Sequence, residues 1–222
     1  MPHYSPYGLS VTIEDDGLLN STLKERMLKN DWERAEVEAL EGLNPHSSVL
    51  ELGACVGIIS CMVNKMLSDG SQHVAVEANP NLMDQLASVR DENGCLFKMD
   101  NCTIGDTVGN RAFYVHNSHI MGSSAHLRHS SQATQVKQTT IKALEAKHSI
   151  SFDVLIMDIE HGEYELFDKC LLPNDYFLKF HTIICEFHGS KDHDKEISDV
   201  LIGGGYTATQ FQSRVSRFDR EI

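Results

Sequence analysis

A chain of 222 residues with 41% hydrophobic and 23% charged side chains has the length of one domain of the larger kind and the balance of a globular core. Its 32 acidic against 19 basic residues give a formal charge of −13, which argues against the basic face of a duplex-binding protein and against a polybasic membrane patch. No run of about 18 apolar residues is present to span a bilayer, and the N-terminus lacks a basic region followed by an apolar stretch, so a soluble cytoplasmic protein without a secretory signal is expected.

The first thirty residues carry no firm hydrophobic period and read as an N-terminal arm, with a short helix over 22–29. Asn30 and Glu33 have capping-box spacing, which predicts a helix over 31–42 with Trp32, Ala35, Val37 and Leu40 partly facing a core. From residue 48 the pattern becomes regular. Val49, Leu50 and Leu52 form a short strand that ends in Gly53. Ile58, Ile59, Met62, Val63, Met66 and Leu67 recur at helical spacing until Asp69-Gly70 stops them. Residues 74–76 predict a second strand, ended by Glu77. Asn79-Pro80 reads as an N-cap and a first-turn proline for a helix carrying Leu82, Leu86 and Val89.

Less defined strands follow over 95–104 and 111–116, then a polar stretch over 117–135 and a helix over 140–147. Residues 152–157 are a nearly continuous apolar strand that runs into Asp158-Ile159-Glu160, and residues 182–185 another that runs into Glu186. Continuous apolar strands alternating with helices predict an α/β fold, a mostly parallel sheet of about seven strands with helices on both faces. Residues 31–222 form its single domain. The six cysteines include no C-x-x-C pair and read as reduced, buried thiols.

In such a sheet ligands bind beyond the carboxyl ends of the strands. The first strand continues as Glu51-Leu52-Gly53-Ala54-Cys55-Val56-Gly57, where glycines let backbone approach a ligand closely. The G-x-x-x-G spacing is neither the dinucleotide fingerprint nor a P-loop. An acid two residues before the first glycine disfavours a phosphate and suits a cofactor bearing an ammonium and a sulfonium, as S-adenosylmethionine does. Glu77, twenty residues beyond Gly57, sits where a carboxylate accepts hydrogen bonds from ribose hydroxyls.

These residues resemble the FkbM-type methyltransferases of the class I S-adenosylmethionine-dependent superfamily. Residues 49–57 are similar to the family's first motif, with Cys55 where Asn is usual. Val76-Glu77-Ala78-Asn79-Pro80 is similar to its Glu-Pro-Asn-Pro region. Asn101-Cys102-Thr103-Ile104-Gly105-Asp106 resembles the segment that lines the adenine pocket. Asp158-Ile159-Glu160-His161-Gly162-Glu163 resembles its Asp-Ile-Glu-Gly-Ala-Glu signature, with His161 in place of Gly, and Glu186-Phe187-His188 its acid-x-His. The resemblance, over about residues 32–188, implies a Rossmann-like three-layer sandwich. It implies S-adenosyl-L-methionine as cofactor, with S-adenosyl-L-homocysteine as product, held by Glu51, Gly53, Ala54, Cys55, Gly57, Glu77, Ala78, Asn101, Cys102 and Asp158. It also implies methylation of a hydroxyl on a small molecule or a glycan sugar.

An alcohol is a weak nucleophile, so a positioned base is expected at the carboxyl edge. His161 and Asp158 rank first, because an imidazole titrates near neutrality, followed by His188 and Glu186. Glu160 is a candidate for substrate binding, although Glu160 and Glu163 are equally explained as carboxylates favoured by a helix start. The 117–135 stretch is long for a connector and reads as a lid in which His119, Ser123 and Ser124 contact the acceptor. His116, His119, His126 and His129 within and beside it have no adjacent carboxylate, so no metal site is assigned there. Two alternatives remain open: a divalent ion held by Asp158, Glu186 and His188, and a nucleotide-dependent oxidoreductase, which the missing G-x-G-x-x-G disfavours. A binding domain that has lost its chemistry is a third, and the intact acids and glycines speak against it.

Overall fold

Short aliphatic runs with no polar alternation can only be buried on both faces, and they form the centre of the sheet. The computed structural model describes residues 1–13, 19–116, 122–123 and 130–221. Seven strands make the main sheet: β1 (Val49–Leu52), β2 (His73–Val76), β3 (Lys98–Asp100), β4 (Val154–Met157), β5 (Thr182–Glu186), β6 (Thr207–Gln210) and β7 (Val215–Asp219). Their order is β6-β7-β5-β4-β1-β2-β3. The pairs from β5 through β4, β1 and β2 to β3 are parallel, and β7 runs antiparallel to both β5 and β6. The expected mostly parallel sheet of about seven strands is therefore present.

Register decides what the edge presents. Leu52 pairs with Val76 on one side and Met157 on the other, and Met157 pairs with Cys185. The strand ends are level, so Gly53, Glu77, Asp158 and Glu186 all emerge on the same rim. Strand order reverses between β1 and β4, the crevice where open α/β sheets bind ligands.

Helices cover both faces: α1 (Ser21–Leu28), α2 (Arg34–Ala39), α3 (Ile58–Met66), α4 (Met83–Glu92), α5 (Ile141–His148), α6 (Gly162–Leu166) and α7 (Lys191–Gly203). One layer of core joins Leu50, Leu52 and Leu155 to Phe152, Phe167, Phe180, Leu201 and Phe218. On the opposite face, Ile58, Cys61, Leu82, Leu86 and Phe97 pack with Tyr4, Leu9, Val11 and Ile13. The N-terminal residues thus share the core of the sheet. His3–Tyr4 pairs with Val11–Thr12, and Gln85 on α4 donates to the Thr12 carbonyl at 2.7 Å.

Asn79 caps as the sequence predicts, its side chain accepting from the Asn81 N–H at 3.1 Å. Three expectations need correction. The capping box at Asn30 does not form: Asn30 has φ 52° and its Oδ1 accepts from the Tyr7 N–H at 2.8 Å. With Glu33 also left-handed at φ 57°, α2 shortens to Arg34–Ala39. The strand expected over 95–104 is broken into Lys98–Asp100 and Thr103–Ile104. The polar stretch is no simple loop, because Ser130–Thr139 is a ten-residue strand antiparallel to Gly109–His116. With Thr103–Ile104 and Gly122–Ser123 these make a second, four-stranded sheet that buries Phe113, Val115 and Val136 beside Ala78.

Candidate active site

A cavity of about 540 Å³ opens on the rim. That is within the range of small-molecule and cofactor sites. The loop after β1 is built for close approach. Gly53 has φ 89°, and a Cβ there would lie 1.8 Å from the Asp158 carbonyl oxygen, so only glycine lets this turn pack on the end of β4. Gly57, at φ 92°, starts α3, and a Cβ there would meet Leu86 at 2.8 Å. The Gly53 and Ala54 N–H groups both donate to the Val76 carbonyl, which fixes the loop over the end of β2.

Glu77 is 6% exposed. Its Oε2 accepts from the Cys55 N–H at 2.8 Å and its Oε1 from the Asn79 N–H at 2.6 Å. Burial raises its pKa to about 7 against those backbone hydrogen bonds, which favour the charged form. Behind it, the Asn101 amide donates to the carbonyls of Glu77 and Ala78 at 2.8 and 3.2 Å and locks the turn. Ala78, Cys102, Ile104 and Phe113 give this end of the cavity apolar walls.

The other end is acidic. Asp158 follows β4, Glu186 ends β5, and Glu160 and His188 line the same wall. His188 Nε2 lies 3.5 Å from Asp158 Oδ1, 3.8 Å from Glu160 Oε2 and 4.0 Å from Glu186 Oε1. Its Nδ1 hydrogen-bonds Glu163 Oε1 at 3.0 Å, and that oxygen also accepts from the Ile159 N–H at 3.0 Å. Burial raises the pKa of Asp158, His188 lowers it, and the charges on Glu160, Glu36 and Glu163 raise it further. Glu186 is raised by burial and by a hydrogen bond with Glu36 of α2. For His188, burial opposes the charge, but the Glu163 hydrogen bond and the charges on Asp158, Glu163 and Glu160 prevail and raise it.

The loop that carries His188 is clamped from behind. Tyr164 Oη donates to Asp194 Oδ1 at 2.5 Å and accepts from the Gly189 N–H, while Arg214 donates to the Gly189 carbonyl at 2.7 Å and pairs with Asp194. A Cβ on Gly189 would meet the Tyr164 ring at 2.4 Å, so the ring and the backbone are in direct register.

Of the residues expected to hold the cofactor, Gly53, Cys55, Glu77, Ala78, Cys102 and Asp158 line the cavity. Ala54, Gly57 and Asn101 shape it from behind. Glu51 does not line it: the side chain is buried and paired with His73 Nε2 at 2.9 Å. Among the catalytic candidates Asp158, Glu186 and His188 are brought together with Glu160. His161 is exposed beside them, its ring centroid 5.9 Å from that of His188. Ser123 falls in the short strand Gly122–Ser123. His119 and Ser124 lie outside the described residues, as do His126 and His129. Sequence reasoning missed Glu33 and Glu36, which line the cavity from the N-terminal side with Trp32. Nothing in their spacing marks them, because left-handed Glu33 and a one-and-a-half-turn helix carry them there.

The FkbM methyltransferase domain profile matches residues 51–211. No curated protein sequence matches. Among solved structures, precorrin-6Y C5,15-methyltransferase from Geobacter metallireducens aligns over 95% of this chain and 97% of its own, at 10% identity and a TM-score of 0.51. An O-methyltransferase from Bacillus cereus, solved in complex with S-adenosylhomocysteine, aligns over 95% and 94% at 11% identity and a TM-score of 0.48. The first of these likenesses shows the same Rossmann-like fold. With the family profile spanning the glycine loop, Glu77, Asp158, Glu186 and His188, the chain belongs to the FkbM methyltransferase domain family.

Proposed function

We propose that this chain is an S-adenosylmethionine-dependent O-methyltransferase acting on a hydroxyl of a small molecule or a glycan sugar. One observation carries the reading. A single cavity has an apolar end at Ala78, Cys102 and Phe113, a buried carboxylate at Glu77, and a cluster of acids at the opposite end. Glu77 suits the paired ribose hydroxyls. The acids suit an ammonium and a sulfonium, and no P-loop or dinucleotide cradle stands in the way. When bound, the cofactor supplies an electrophilic methyl group on a positively charged sulfur.

The chain's own residues then align the acceptor oxygen, exclude water and take up its proton. Asp158 and His188 face the same point on the rim, with Glu186 behind, and the general base is drawn from these groups. The geometry favours His188 over His161, because His188 lines the cavity and His161 does not. Trp32, Glu33 and Glu36 form the acceptor wall, which gives the N-terminal residues a part in recognition. A formal charge of −13 and this acidic wall argue against a nucleic acid acceptor. Six cysteines that form no disulfide with one another fit a reducing cytoplasm.

Calorimetric titration with S-adenosylmethionine, S-adenosylhomocysteine and NAD tests the reading. Saturable one-to-one binding of both sulfur compounds is expected. Binding of NAD alone, or of none of the three, overturns it.

A further inference from the structure

At the acidic end, one donor atom each from Asp158, Glu163 and His188 lies within 4.8 Å of the other two. Acids often gather without a ligand, so the decisive feature is what their oxygens do. Glu163 is 0% exposed, yet only its Oε1 is engaged; its Oε2 is buried without a hydrogen-bond partner. Asp158 Oδ1 is likewise buried without a hydrogen-bond partner, and it faces His188 Nε2 from 3.5 Å, too far for a hydrogen bond. Orphaned carboxylate oxygens are costly in a protein interior and call for a missing partner. Two such acids, Asp158 at the end of β4 and Glu163 on α6, converging with an imidazole from the loop after β5, describe a cation's donor set.

We infer that Asp158, Glu163 and His188 form a binding site for a first-row divalent cation, placed beside the acceptor. Two carboxylates and one imidazole are a donor mix that suits Mn²⁺, Fe²⁺ or Zn²⁺ better than an all-oxygen ion. Three protein ligands leave positions open toward the cavity, where the acceptor oxygen is expected. A neighbouring triad, Glu36, Asp158 and Glu186, shares Asp158. It is the weaker candidate, because Glu36 and Glu186 already satisfy each other through a hydrogen bond and it contains no nitrogen donor.

The site deepens the methyltransferase reading and rests on it only for its purpose. A cation there lowers the pKa of a bound hydroxyl. With Asp158 and His188 engaged as ligands, the proton passes to the carboxylate that remains ionised in the hydrogen-bonded Glu36–Glu186 pair. The acceptor oxygen then bonds to the methyl carbon, the carbon–sulfur bond breaks, and the sulfonium becomes a neutral thioether.

The test uses the full chain, stripped with chelator and titrated with Mn²⁺ by calorimetry and by the loss of the free-ion electron paramagnetic resonance signal. One saturable site is expected. Asp158→Asn, Glu163→Gln and His188→Gln should each weaken Mn²⁺ at least tenfold, the scale on which metal sites respond to their surroundings. Glu77→Gln should weaken S-adenosylhomocysteine and leave Mn²⁺ binding intact. Circular dichroism qualifies each variant, and any two folded ligand variants suffice. No saturable Mn²⁺ site in the native chain, or undiminished binding in the folded variants, overturns the inference while leaving the cofactor reading standing. Mn²⁺ bound through the triad with no binding of S-adenosylhomocysteine overturns the cofactor reading and leaves the metal site.

Discussion

Glu77 gives the sharpest quantitative expectation. Burial holds it at about 7 against an ordinary value of 4.5. A ribose diol donates two hydrogen bonds, so it needs the carboxylate, and the affinity follows the ionised fraction. For a pKa near 7 that fraction is about 0.1 at pH 6 and about 0.9 at pH 8, so S-adenosylhomocysteine should bind roughly tenfold tighter at pH 8. The groups around Glu77 do not reverse this: the backbone N–H groups of Cys55, Ala78 and Asn79 favour the charged form, and Glu51 opposes it. The same shift has the opposite sign in the ligand-free protein. A carboxyl whose folded pKa exceeds its unfolded value withdraws stability as pH climbs from about 4.5 to 7. On account of this group the free protein loses stability over the window that leads into the gain in affinity. Calorimetry at pH 6, 7 and 8 on the native chain and on Glu77→Gln checks the first claim. The amide variant should bind weakly and without the tenfold slope. A flat profile in the native chain, or an unchanged slope in Glu77→Gln, refutes the reasoning.

Other expectations follow from backbone and packing. Cys55 and His161 have φ values of 50° and 73° and occupy the two positions where the family usually has Asn and Gly. Those residues tolerate the left-handed region, so Cys55→Asn and His161→Gly should each raise stability by about 0.5–1 kcal/mol, or a few degrees in Tm by thermal melting. Gly53→Ala should do the reverse, because its Cβ meets the Asp158 carbonyl at 1.8 Å; a loss of about 3 kcal/mol or more is expected in denaturant unfolding. His188→Ala should lower turnover about 100-fold or more, while His161→Ala changes it little, read in a methyl-transfer assay once an acceptor is found. Tyr164→Phe frees the Gly189 N–H and Asp194, and should lower turnover more than affinity for S-adenosylhomocysteine.

The fold was legible wherever burial on both faces forces an apolar run. Leu50, Leu52, Val74, Val76, Leu155 and Met157 announce three central strands, and Gly53, Glu77 and Asp158 that follow them announce the rim. The four-stranded sheet was not legible, because Ala133, Gln135 and Lys137 of Ser130–Thr139 are exposed and Val136 is its one core residue among those described. Strand β6, with all four residues exposed, is equally silent. At the site, Asp158, Glu186 and His188 were legible because strand ends level them. Glu163 reads as a helix-start carboxylate in sequence and acquires its meaning only when the β5 loop brings His188 against it. Glu36 depends on the left-handed turns at Asn30 and Glu33, which no local signal predicts. Glu51 shows the converse: its spacing pointed to the cofactor, but its buried pairing with His73 takes it away from the cavity lining.

A crystal structure with S-adenosylhomocysteine tests the central claim most directly. Both ribose hydroxyls are expected within hydrogen-bonding distance of Glu77, the adenine against Ala78 and Cys102, and the sulfur turned toward Asp158 and His188. A nucleoside bound elsewhere, or one that leaves Glu77 to its backbone partners alone, would contradict it.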